Sequence, residues 1–102
     1  MTRGTTPTLK LTISSFTDMS DMSVYVSLKQ NKVLQTYSNE SEEVYIDGNT
    51  IELTLTQTET LAFEAGACKL QVRGLVKDTG VAWSTNVVNV AINPVLFTGV
   101  IE

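Results

Sequence analysis

LTQTETLAFEAGACKLQVRGL (residues 55–75) changes character twice within one short stretch. It opens on the end of an alternating apolar and polar run, acquires helix-start chemistry, meets a glycine and resumes alternation. Thr56-Gln57-Thr58-Glu59 has the form of a capping box, in which a Thr hydroxyl and a Glu carboxylate satisfy each other's orphan backbone donors. Only about six residues separate Glu59 from Gly66, too few for a helix that is stable by itself. The spacing therefore predicts a single helical turn over Gln57–Leu61. It is a corner that lifts the chain from one sheet and sets it on another, with Leu61 and Phe63 closing the core beneath it. Beyond Gly66, Cys68, Leu70 and Val72 face inward while Gln71 and Arg73 face outward.

Period-two alternation governs the rest of the chain. TLKLTI places Leu9, Leu11 and Ile13 on one face, and SFTDMSDM reads as a loop. SVYVSLK turns Val24, Val26 and Leu28 inward. A tight turn near Asn31 leads to the weaker strand VLQTY, and the acidic SNESEE is a solvated loop. Asn39-Glu40-Ser41 in that loop matches a glycosylation acceptor, a match that carries little weight without a secretion signal. In VYIDGNTIELTL, Asp47-Gly48 is expected to supply the positive backbone angles of a hairpin turn. Val44 and Ile46 then pair against the strand carrying Ile51, Leu53 and Leu55. VKDTGVA makes a further hairpin. Val81 and Trp83 share one parity, whereas Val88, Val90 and Ile92 share the other, which predicts a β-bulge between Ser84 and Val87. The expected core is Leu9, Leu11, Ile13, Val24, Val26, Leu28, Ile51, Leu53, Leu55, Phe63, Cys68, Leu70, Val72, Val88, Val90 and Ile92. About seven short strands and one helical turn indicate an all-β, antiparallel, immunoglobulin-like β-sandwich over residues 1–93. One detail conflicts with that topology, since the very short turn between the second and third strands puts both in one sheet. Residues 94–102 form an apolar tail or arm.

Composition narrows the chemistry. The net charge is −4, and the chain contains no histidine and one cysteine. A surface of that sign is poorly placed to attract phosphate backbones, so no nucleic-acid partner is expected. Lack of histidine removes Ser–His and Cys–His nucleophile pairs and the commonest metal ligand. A single cysteine excludes an internal disulfide and a Cys-based zinc site, and the alternation makes Cys68 a small buried hydrophobe. The carboxylates Asp18, Asp21, Glu42, Glu43 and Asp47 fall in solvated loops with no apolar surroundings to shift them. No enzymatic activity, metal or cofactor is expected. MTRGTTPT lacks the apolar segment of a signal peptide, and no stretch reaches the roughly twenty apolar residues of a membrane span. The expectation is synthesis in the cytoplasm with no membrane partner.

The start TRGTTPT, the LTQ-x-ET corner, the QVR strand, the S-x-N-V-V strand and the ending GVI extend over nearly the whole chain. In these features the sequence resembles small prophage-encoded proteins of Gram-positive bacteria, found among genes for virion structural proteins. About half of the chain, the corner and its Gly-initiated strand, is also similar to the immunoglobulin-like module of phage upper-baseplate proteins. Neither resemblance carries catalytic residues. Together they imply a non-catalytic structural or assembly protein of a phage tail or baseplate, contacting itself or other virion structural proteins, either in the virion or only during its assembly. Val95, Leu96, Phe97, Val100 and Ile101 are the expected contact residues. They serve either as a strand folded back on the sandwich or as an arm docking on a neighbour, freed by Pro94 and Gly99. The alternative function is a cell-surface or carbohydrate-binding module, with Tyr25, Tyr37 and Tyr45 as a candidate aromatic platform.

Overall fold

The computed structural model describes residues 1–102. Eight strands and one helix follow in the order β1 (Thr8–Thr12), β2 (Met22–Gln30), β3 (Val33–Ser38), β4 (Val44–Asp47), β5 (Thr50–Thr54), α1 (Gln57–Leu61), β6 (Gly66–Val76), β7 (Ala82–Ser84) and β8 (Val88–Ile92). They form two sheets in a sandwich-like arrangement. One has the order β1-β5-β4, and the other runs β3-β2-β6 with β7 and β8 both on the outer edge of β6. Every strand pair is antiparallel. An isolated parallel bridge joins Thr2 to Asn93, where the first residues run along the end of β8. No helix is long and apolar enough to cross a membrane.

The corner forms as its sequence dictates. Glu59 N–H donates to Thr56 Oγ1 at 3.2 Å, and Thr56 N–H donates to Glu59 Oε1 at 2.8 Å. A five-residue helix has more orphan carbonyls than internal partners, and the surrounding chain satisfies them. Ala62 N–H reaches the Thr58 carbonyl at 3.2 Å and Phe63 N–H reaches that of Thr60 at 3.4 Å. Gln35 Nε2 donates to the Glu59 carbonyl at 3.0 Å, and Arg3 Nη2 to that of Leu61 at 2.9 Å. Thr60 is fully buried, and its hydroxyl accepts from Gly4 N–H at 3.0 Å. Phe63 is fully buried below the turn, with Leu61 half-buried beside it.

β7 and β8 are one strand interrupted by a bulge. Arg73 pairs with Ser84 and Leu70 with Val88, so three steps on β6 face four on its partner. Thr85 occupies the gap, with its N–H donating to the Val72 carbonyl at 2.9 Å and its hydroxyl accepting from Val72 N–H at 3.1 Å. The extra residue brings Trp83, opposite Gly74, onto the same face as Val90 and Ile92, opposite Cys68 and Gly66. The Trp83 indole packs against Gly74, where any Cβ would overlap it. Its other neighbour is Phe16, with ring centroids 5.0 Å apart.

Most of the expected core is buried, with instructive exceptions. Val88 is 49% exposed, because it begins an edge strand that the narrower three-stranded sheet leaves uncovered. Leu9, Leu11 and Ile13, on and just beyond edge strand β1, and Val90 are only half-buried against the core. Conversely, Met19, Met22, Tyr37 and Val44 belong to it. Met19 comes from the β1–β2 loop, which Met19 N–H pins to the Gly48 carbonyl at 2.9 Å. The β4–β5 hairpin turns one residue later than Asp47-Gly48. Asp47 pairs with Thr50, leaving Gly48-Asn49 as the loop, with positive φ (60°) at Gly48 alone. That is the pattern of a type II′ turn, in which only the first central residue needs the glycine.

Two stability measurements check this account. Thr56→Ala is expected to lose about 1 kcal/mol through the N-cap, read by denaturant unfolding. Gly74→Ala is expected to displace the indole, costing about 1–3 kcal/mol as an overpacked core does and shifting the tryptophan fluorescence. An unshifted emission would contradict the close approach.

Candidate functional site

The expected contact residues lie on a tail without strand pairing, bent at Leu96 and again at Gly99. After Asn93 the chain enters no sheet. Val95 is half-buried, whereas Leu96 (104%), Phe97 (64%), Val100 (47%) and Ile101 (68%) are exposed. One side chain holds the far end: Gln57 Nε2 donates to the Ile101 carbonyl at 3.1 Å, and Ile101 N–H donates to Gln57 Oε1 at 2.9 Å. Gln57 thereby offers the tail the two hydrogen bonds that a strand edge would. The tail is thus moored beside the helical corner without burying its apolar side chains. Of the two expectations, a strand folded back into the sandwich does not form.

A second feature is an open groove of about 720 Å³ lined by Tyr37, Tyr45, Glu42, Glu43, Glu52, Glu59 and three threonines. Its polar groups are largely engaged within the chain. Glu59 caps α1, Glu52 lies 3.4 Å from Lys10, and Glu43 accepts from Ser38 N–H at 3.3 Å. Tyr37 donates its hydroxyl to Gln35 and is buried. Burial first, and then the Glu59 carboxylate, pushes the Tyr37 phenol well above the ordinary tyrosine range. The three tyrosines do not make one platform. Tyr25 pairs with Arg73 on the outside of the five-stranded sheet, Tyr45 pairs with Glu52 on the three-stranded sheet, and Tyr37 is in the core.

The remaining candidates are dispersed. Asp18 accepts from Ser20 N–H at 3.0 Å, a contact that holds its carboxyl below the ordinary range. Asp21 is exposed in the loop before β2, and Asp47, expected in a loop, is the exposed last residue of β4, paired with Thr50. No three His, Cys, Asp or Glu side chains converge as a metal site would require. Cys68 is buried, and desolvation pushes its thiol up, away from the reactive thiolate. No family model, curated protein or solved structure matches the chain.

Tyr37 makes the stability sensitive to alkali in a specific direction. A phenol whose folded pKa is raised contributes stability that is intact below the unfolded value of about 10 and is lost as pH rises above it. The stability difference between the wild-type chain and Tyr37→Phe, measured by urea unfolding, is therefore expected to be constant from pH 7 to about pH 9 and to shrink above about pH 10. A difference independent of pH would contradict the buried phenol.

Proposed function

We propose that this chain is a non-catalytic assembly module of a phage particle, tail or baseplate related, acting through contacts with itself or with other virion structural proteins. The observation that carries the reading is the tail: four large apolar side chains held in water by a single glutamine clamp. Burying such groups is favourable by roughly 1.5–3 kcal/mol each, so a partner that covers them gains what the monomer forgoes. The phage setting rests on the sequence resemblance. The strand order supports an immunoglobulin-like reading. β1-β5-β4 and β3-β2-β6-β7/β8 correspond to strands B-E-D and C′-C-F-G of that sandwich, and the short β2–β3 turn is then the C–C′ hairpin. The chain departs from antibody domains in lacking their disulfide and in carrying its tryptophan on β7 instead of the C-equivalent β2. A carbohydrate-binding reading has only Tyr45 as an exposed aromatic in the acidic groove.

Truncation after Asn93 tests the proposal. The shortened chain is expected to remain folded by circular dichroism and to lose self-association or partner capture in light scattering and pull-down. A shortened chain that unfolds, with the full-length protein a monomer lacking partners, would sink the arm reading.

A further inference from the structure

The outer face of the five-stranded sheet contains an electrostatic conflict. Lys29 on β2 stands directly opposite Lys69 on β6, and Arg73 follows on the same face opposite Tyr25. Like charges directly opposite one another destabilise a sheet. No carboxylate relieves them. The cross-sheet row is Leu34, Lys29, Lys69 and Asn89, and the row through Arg73 is Ser38, Tyr25, Arg73 and Ser84. The chain's two ion pairs, Lys10–Glu52 and Lys77–Glu40, use neither lysine of the conflict nor Arg73. Glu40, at the margin, is occupied by Lys77 at 3.0 Å and by the Ser23 hydroxyl at 2.6 Å. Exposed apolar groups accompany the cations: Leu34 and Val87 line the same hollow as the lysine pair, and Tyr25 and Leu75 line its neighbour with Arg73. A net-negative chain has thus collected unpaired positive charge and exposed apolar area on one sheet face.

The complementary surface is on the same molecule. The acidic groove opens on the outside of the three-stranded sheet through Tyr45, Glu52 and Thr54; Lys10 meets Glu52, whereas Glu42 and Glu43, which also line it, have no cationic partner. We infer that the outer face of the five-stranded sheet docks on the acidic groove side of a second copy of this chain. A two-fold contact through that face would set its unpaired cations against those of the second copy, whatever the axis, and is disfavoured. The contact is heterologous, front to back, and propagates into a row or closes into a ring. The face is about four strands wide and nine residues long, which projects to roughly 600 Å². That is the scale of a weak interface. It gains strength when a second contact tethers the same neighbours, as linked sites do. The inference shares with the reading above only the idea of self-association and uses a surface other than the tail.

The test is sedimentation velocity on the full chain over rising concentration. Association is expected to weaken as salt rises from about 50 mM to about 500 mM. Lys29→Glu with Lys69→Glu, or Glu42→Lys with Glu43→Lys, is expected to weaken it at least about tenfold. Mixing the two double variants restores it, because each then offers the other a surface of opposite charge. Lys69→Glu alone is expected to raise the melting temperature, by replacing the like-charge pair with an opposite one, while reducing association. That result separates binding from folding. Leu96→Ser with Phe97→Ser in the full chain probes the tail: if these alone abolish association and the charge reversals do nothing, the tail reading stands and this inference fails. Failure of mixing to rescue overturns it, as does a chain monomeric at about 1 mM in low salt. Capture of a DNA oligonucleotide through Lys29 and Lys69 by a chain that stays monomeric also overturns it.

Discussion

A five-residue helix cannot hold itself together, and much of one end of this molecule follows from how its backbone groups are satisfied. Thr56 and Glu59 close the start of α1. The carbonyls at its end are taken by the following turn, by Gln35 from β3 and by Arg3 from the opening residues. Each external partner belongs to a different part of the chain, so completing the helix also fixes those parts in space. The buried Thr60 hydroxyl adds a fourth connection, to the backbone at Gly4. A helix with no intrinsic stability thereby becomes the junction of the N-terminal segment, the edge of the five-stranded sheet and, through Gln57, the tail.

Local chemistry was legible in the sequence and long-range pairing was not. The capping box lies within four residues, and its helix spans Gln57–Leu61 as expected. The bulge was legible because a parity change needs no knowledge of the partner strand, and it falls at Thr85 between β7 and β8. Asp47-Gly48 also fits a type I′ turn, and only the pairing of Asp47 with Thr50 sets the hairpin one residue later. Met19 is not legible as a core residue, because a loop has no period to mark an inward side chain. Tyr37 escapes the pattern because the alternation of edge strand β3 is weak, and its phenol finds a partner, Gln35, on its own strand.

The candidate site divides along the same line. An apolar tail after a proline is visible in composition, but whether it joins the sheet depends on the distant Gln57. The opposition of Lys29 and Lys69 arises entirely from the antiparallel register of β2 and β6, which are separated by three strands and the helix in sequence. In sequence the two residues are ordinary surface lysines. In the fold they stand directly opposite each other with no carboxylate paired to either.

The interruption at Thr85 has a bearing on how such a molecule avoids sticking to itself in the wrong way. An open sheet edge is a template for indiscriminate strand addition, and natural edges are blunted by bulges, prolines and very short strands. Here the rim beyond β6 is a three-residue strand, a bulge, a five-residue strand, a single bridge to Thr2 and then Pro94. No long uniform ladder is left for a second chain to extend. An edge that refuses zippering leaves any contact between molecules to side chains on the faces and not to backbone.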